Sequence, residues 1–178
     1  MGTLNLVLYQ PEIPQNTGNI MRTCVATNTV LHLIEPLGFS LEEKEIKRSG
    51  ANYVKDVKYI RYKDWNEFKA KNTGKMYFLT RYGLHNLYDV HVEDPQEDYY
   101  FVLGKESSGI PKEILQENLE NCIRLPMTDK VRALNVSNCA AIIVYEALRQ
   151  QGFPNLCEFE PDKTSELHFK GKNYLLED

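Results

Sequence analysis

The sequence predicts an α/β fold, a mostly parallel β-sheet flanked by helices. Three features point there. Apolar, strand-like runs alternate with helical patterns along the chain. Two of the runs, 76–79 and 99–103, are nearly continuous in apolar residues, as strands covered on both faces are. The chain's 178 residues, 42% hydrophobic and 26% charged, suit one domain with a sizeable core.

Five strands are expected in order: "LNLVLY" at 4–9, "VLHLI" at 30–34, "MYFLT" at 76–80, "YYFVLG" at 99–104 and "CIRLP" at 122–126. Helices fall between them. "NTGNIMRTCVATN" at 16–28 places Ile20, Met21, Cys24 and Val25 on one face, and Asn16, Asn19, Arg22 and Thr23 on the other. "DWNEFKAK" opens with Asp64 and has Glu67 three residues on, a start like a capping box. "PKEILQENL" begins with Pro111, suited to a first helical turn. The longest helix runs from about 135 to 151 and is stopped by Gly152 and Pro154.

That helix carries two apolar stripes. Val136, Cys139, Ala140, Ile143, Val144 and Ala147 form one; Ala141, Ile142, Tyr145 and Leu148 form the other. A helix this apolar needs cover on two sides, here the core and a partner subunit, although the pattern does not say which stripe faces which. After Gly152 the sequence turns polar and loses periodicity. The expected organisation is one domain at 1–152 and a C-terminal extension at 153–178.

Composition narrows the function. A net charge of −4 argues against a partner held by bulk electrostatics, such as generic duplex DNA. It leaves room for RNA bound through local basic clusters at 44–48, at 61–63, and at Lys130 with Arg132. No apolar run is long enough to span a bilayer, and the first residues lack the features of a signal peptide, so no membrane contact and a cytoplasmic location are expected. The four cysteines form no CxxC pair and are expected as reduced thiols. The four scattered histidines share no ligand-like spacing with them, so no metal site is expected.

The stretch "FVLGKESSGIP" at 101–111 has the look of a phosphate loop and fails as one. Gly104 and Gly109 match the GxxxxGK(S/T) spacing, but Ile110 and Pro111 stand where a lysine and a hydroxyl residue are needed. Glu106 adds a negative charge inside the cradle. No two glycines are separated by a single residue, which removes the GxGxxG fingerprint, and GxSxG is absent as well.

Polar residues gather instead in three segments, "PQNTGNIMR" at 14–22, "LGKESSGIP" at 103–111 and "LPMTDKVRALNVSN" at 125–138. Two follow the C-terminal ends of expected strands, where open α/β sheets bind ligands. The last also sits at a helix N-terminus. The patterns N-T-G-N-I-x-R, G-x-E-x-x-G-I-P and L-P-M…L-N-V-S-N-x-A…Y-E-x-x-R-Q stand in order along the chain. In order and spacing they resemble the three motifs of the SpoU branch of the SPOUT RNA methyltransferases, over about residues 4–151. "LYQPEIPQNTGNIMR" and "VYEALRQQGFP" are most similar to the minimal subgroup of tRNA (cytidine/uridine-34-2′-O)-methyltransferases.

The resemblance implies properties that periodicity does not give. It implies an α/β knot, with the C-terminal part threaded as a trefoil. It implies transfer of a methyl group from S-adenosyl-L-methionine to the ribose 2′-hydroxyl of the wobble nucleotide in the tRNA anticodon loop, by a homodimer. Arg22, Asn16, Glu106 and Asn135 are its implied catalytic residues. Arginine holds its proton in proteins, so Arg22 is read as the binder of an adjacent phosphate that orients the hydroxyl. The implied cofactor site draws on Leu79, Thr80, Gly104 and Glu106. From the third motif it adds Ile123, Leu125, Met127, Ala133 and Leu134. Ala133 departs from the serine common in relatives and removes one side-chain hydrogen bond. Two other activities fit the same motifs: ribose methylation of rRNA, and RNA binding by a knotted module without catalysis.

Overall fold

The computed structural model describes residues 2–42, 46, 56–162 and 168–176. A seven-stranded sheet forms its centre: β1 (Leu4–Tyr9), β2 (Val30–Ile34), β3 (Tyr59–Tyr62), β4 (Lys75–Leu79), β5 (His85–Asn86), β6 (Tyr99–Leu103) and β7 (Cys122–Arg124). Their spatial order is β3-β2-β1-β6-β4-β7-β5. Every ladder between them is parallel. Among the described residues, the helices that pack on the sheet include α1 (Pro14–Thr27), α2 (Trp65–Lys71), α3 (Lys112–Gln116) and α4 (Val136–Gln151).

Alternation along the strands builds two cores. Successive side chains of a strand point to opposite faces. Leu4, Leu6 and Leu8 therefore join Leu31, Leu33, Phe101, Leu103 and Ile123 on one face. The buried stripes of α1 (Ile20, Met21, Cys24) and α4 (Cys139, Ala140, Ile143, Val144, Ala147) close that side. Val7, Ile34, Phe78, Tyr100, Val102 and Cys122 point the other way, under Phe68 of α2 and Ile114 of α3. All five residues of β6 are buried, as expected for a central strand. In β4 only Phe78 is fully buried, so the apolar run at 76–79 overstated its cover.

The second core holds one polar inclusion. His32 is 2% exposed; its Nδ1 lies 2.9 Å from the Tyr62 hydroxyl and its Nε2 lies 3.0 Å from Asn5 Oδ1. The Asn5 oxygen can only accept, which places the imidazole proton on Nε2 and leaves Nδ1 to accept from Tyr62. Burial lowers the His32 pKa to about 4.

Several elements differ from expectation in informative ways. β3 was not expected as a strand; three of its four residues are exposed, and its Arg61 donates to the Glu35 carboxylate at 2.8 Å. The basic cluster at 61–63 is thus partly neutralised in place. The cluster at 44–48 lies, apart from Ile46, outside the described residues. Asp64 caps α2 by accepting from Glu67 N, but the Glu67 carboxylate reaches Lys63 N rather than closing a capping box. Pro111 is the N-cap of α3, one residue before its first turn. Cys24, Cys122 and Cys139 are buried free thiols and Cys157 is an exposed one; burial pushes the Cys24 thiol up to about 12.

α4 settles which stripe is core. Ile143 and Val144 are fully buried, while Ile142 and Tyr145 are exposed; Leu148, expected on the second stripe, is buried in the core instead. Its polar C-terminal half is structural. Glu146 is buried and bound to the Arg149 guanidinium at 2.8 and 2.9 Å, which holds its carboxyl below the usual range. Gln150 accepts from Val92 N and donates to Val90 O, and Gln151 donates to Val92 O. Gly152 ends the helix at φ 73°, a left-handed conformation that glycine takes without steric penalty.

Candidate active site

All three polar segments leave the C-terminal ends of strands, since residues 10–16 follow β1, 104–111 follow β6 and 125–135 follow β7. In a parallel sheet those ends lie on one edge. β6, β4 and β7 are neighbours, so Gly104, Leu79 and Ile123 stand at adjacent strand ends, about 5 Å apart from strand to strand.

The loop at 104–109 closes on itself. Lys105 N donates to Gly109 O at 3.2 Å and Gly109 N to Lys105 O at 2.9 Å. Gly109 sits at φ 75°, and a Cβ on Gly104 would lie 2.2 Å from the Gly109 carbonyl carbon. Both positions therefore require glycine. Ser107 N is bound as well, by the Glu12 carboxylate at 2.9 Å, with Ser107 Oγ on its other oxygen at 2.9 Å. These bonds hold the Glu12 carboxyl below its ordinary value. With the amides of Lys105, Ser107 and Gly109 engaged, the loop has few N–H groups left for an anion.

Glu106 answers in the opposite direction. Its carboxylate accepts from Glu12 N at 2.8 Å, Ile13 N at 3.2 Å and Asn16 Nδ2 at 3.2 Å. The need is readable in α1, which has no side-chain cap and no acid in its first turn. Glu106 supplies the missing negative charge from another loop, where the helix field favours it. The network continues into the third segment. Asn135 Nδ2 donates to Asn16 Oδ1 at 2.9 Å, and Asn135 Oδ1 accepts from Ser137 N at 2.8 Å and Ser137 Oγ at 2.6 Å. One chain of hydrogen bonds, Glu106–Asn16–Asn135–Ser137, joins three segments separated by about ninety and thirty residues.

Asn16, Glu106 and Asn135 are therefore in contact. Asn16 is 7% exposed, which corrects its placement on the polar face of α1. Arg22 is exposed with Asn19 on that helix, six residues or ~9 Å of rise from Asn16. Around the strand ends, Ile123 and Leu125 are buried, Leu79, Thr80, Gly104 and Met127 are half-buried, and Ala133 and Leu134 are exposed. Thr80 N donates to Ile123 O at 2.9 Å and ties the β4 end to β7. Apolar side chains and carbonyl oxygens, rather than free amides, suit a flat heterocycle and a cation better than a phosphate. Clefts of about 410 Å³ (Gly74, Lys75, Tyr77, Asn118) and 170 Å³ (Gly2, Thr27, Gln151) touch none of these residues. Among the described residues, no group of three His, Cys, Asp or Glu side chains could hold a metal ion. Glu12 and Ser107 were missed, because nothing in the sequence joins residues that are 95 positions apart.

Comparison with known proteins agrees with this arrangement. The model of the SpoU rRNA Methylase family matches residues 3–145. The chain belongs to the SpoU family. A Listeria innocua protein, provisionally named a tRNA (cytidine(34)-2′-O)-methyltransferase, is 54% identical over 159 residues, 89% of this chain and 94% of its own. The crystal structure of a Bacillus anthracis protein, provisionally described as an RNA methyltransferase, superposes with a TM-score of 0.83 at 51% identity. It covers 88% of this chain and 99% of that one. A second solved structure, concerned with 2-OH methylation of C/U34 on tRNA, has a TM-score of 0.78 at 36% identity, over 85% and 92% of the two chains. The α/β architecture with a parallel seven-stranded sheet is thus that of the SpoU methyltransferases.

Proposed function

We propose that this SpoU protein methylates the ribose 2′-hydroxyl of nucleotide 34, a cytidine or modified uridine, in the anticodon loop of tRNA. The observation that carries the activity is the hydrogen-bonded chain Glu106–Asn16–Asn135, which draws the three family motifs to one edge of the sheet. Relatives whose names specify cytidine 34 of tRNA support the substrate. The test is nucleoside mass spectrometry of tRNA from cells lacking the protein. Loss of the 2′-O-methyl group at position 34 is expected. An unchanged level there, or a loss confined to rRNA, refutes the assignment.

S-adenosylmethionine supplies an electrophilic methyl group on a sulfonium cation. Leu79, Gly104, Ile123, Leu125 and Leu134 line its site, with Thr80, Met127 and Ala133 beside them. They hold it through apolar contact and backbone carbonyls. Glu106 keeps the loop at 104–109 seated against α1 and is a positioning residue. Asn16 and Asn135 fix the N-terminal turns of α1 and α4 relative to each other. Arg22 binds the phosphate next to the target ribose and orients the hydroxyl for in-line attack, where alignment supplies much of the acceleration.

The same proposal includes a trefoil knot in the C-terminal part. Support comes from the sheet order, which returns from β6 past β4 to β7, and from α4 packing back on α1 and β1. Pulling the chain from residues 2 and 152 tests it, because a knotted chain stops short of its contour length. Residues 1–152 form the domain and 153–178 the extension; among the described residues no fully buried apolar side chain follows Leu148, and Leu156 packs half-buried against the core. The exposed Ile142 and Tyr145 of α4 are the face of a homodimer. The site of action is the cytoplasm, where the tRNA is.

A further inference from the structure

We propose that the turn at residues 80–84 is a base-stacking platform, on which Tyr82 receives an unpaired base of the RNA. This rests on the ribose-methyltransferase assignment and extends it to substrate recognition.

The turn leaves the C-terminal end of β4, so it shares the edge where the three motifs meet. Its backbone is fixed. Thr80 N donates to Ile123 O at 2.9 Å, Gly83 N to Thr80 O at 3.2 Å and Leu84 N to Cys122 O at 3.1 Å. It presses so closely on β7 that a Cβ on Gly83 would lie 2.4 Å from the Ile123 carbonyl carbon. Tyr82 and Leu84 nonetheless point outward, at 67% and 62% exposure. The fixed backbone thus presents a largely exposed aromatic ring to solvent.

The ring is held ready. The Arg81 guanidinium carbon lies 4.6 Å from the Tyr82 centroid and the same side chain donates to the Tyr82 hydroxyl. At an exposed site such a cation–π contact contributes about 0.5–1 kcal/mol and biases the ring toward this orientation. Unpaired bases are recognised by stacking on such rings and on guanidinium planes.

Charge favours RNA over a protein as the occupant. Residues 80–84 and 124–134 carry Arg81, Arg124, Lys130 and Arg132 against one acid, Asp129. That is four positive charges minus one negative, +3, on a chain whose net charge is −4. Both segments follow neighbouring strands of the sheet, β4 and β7, and an excess of this sign on segments that flank an exposed aromatic ring matches a phosphate backbone with splayed bases.

The experiment uses the full-length protein and an anticodon stem-loop RNA carrying 2-aminopurine beside nucleotide 34. The Tyr82→Ala variant is expected to raise KM for the RNA about fivefold to a hundredfold, the usual effect of losing one stacked base. Its kcat, its melting temperature and its affinity for S-adenosylhomocysteine stay close to the parent's. The Tyr82→Phe variant restores KM, and 2-aminopurine fluorescence is quenched by the parent and by Tyr82→Phe but not by Tyr82→Ala. A Tyr82→Ala KM equal to the parent's, or a loss that phenylalanine does not restore, overturns the platform while leaving the enzymatic assignment intact. A parent that binds no RNA and no S-adenosylhomocysteine overturns both. A protein partner captured through Tyr82, with RNA kinetics unchanged, also overturns it.

Discussion

Replacing Glu106 by glutamine tests the latch between the first two motifs. The carboxylate offers one oxygen to Glu12 N at 2.8 Å and the other to Ile13 N and Asn16 Nδ2, each at 3.2 Å. Glutamine is nearly isosteric but keeps one acceptor. With its oxygen toward Ile13 and Asn16, its NH₂ group faces the Glu12 N–H, donor against donor. Hydrogen bonds to a charged group contribute about 1.5–3 kcal/mol each, and water replaces part of that at a half-exposed site, so a net loss of about 1–2 kcal/mol is expected. For a chain of this size that is roughly 2–8 °C in Tm. Urea unfolding of Glu106→Gln, Asn135→Ala and the double variant gives both the loss and the coupling. The two single losses are expected to exceed the double loss when summed, because both act on Asn16. A Glu106→Gln protein as stable as the parent, with additive double-variant energetics, refutes the latch.

Four other outcomes are expected. The Arg22→Ala variant, altered at an exposed position of α1, is expected to keep its fold and S-adenosylhomocysteine affinity and to lose on the order of a hundredfold or more in methyl transfer; unchanged turnover removes Arg22 from the mechanism. Ile143→Glu places a charge in the fully buried stripe of α4 and is expected to unfold the domain at a loss of several kcal/mol. Tyr145→Glu, on the exposed stripe, gives a folded monomer by sedimentation, and a dimer unaffected by it refutes the proposed interface. His32 titrates at 6.5 when unfolded and at about 4 when folded. The unfolded chain therefore binds the proton first, and stability is lost as pH falls from 6.5 toward 4, by about 3 kcal/mol; a His32→Gln variant with the same acid slope refutes the assignment to His32.

The strands at the centre of the sheet were legible because burial on both faces imposes continuous apolar runs. β1 and β2 match their expected bounds residue for residue. β3 was missed because an exposed edge tolerates Arg61 and Tyr59, and β5 because two residues carry no pattern. The site was legible as motifs and illegible as contacts. Asn16 looked like a surface residue by helical spacing, yet it is buried by Glu106 and Asn135, which lie 90 and 119 positions away. Glu12 drew no reading, since its partner Ser107 comes from the loop after a different strand. Local spacing reports the face of an element; it does not report which distant loop covers that face.

The pairing of β1 with β6, Leu4 opposite Tyr99, has a consequence during synthesis. A ribosome adding ~5–20 residues per second needs roughly 5–20 s to pass from Leu4 to Tyr99. For that interval the first strand made has its hydrogen-bonding row open on one side, with Leu4, Leu6 and Leu8 beside it. Such an open row is a template for other chains. The yield of soluble protein therefore depends on how this nascent strand is shielded while translation continues, and not only on the stability of the finished sheet.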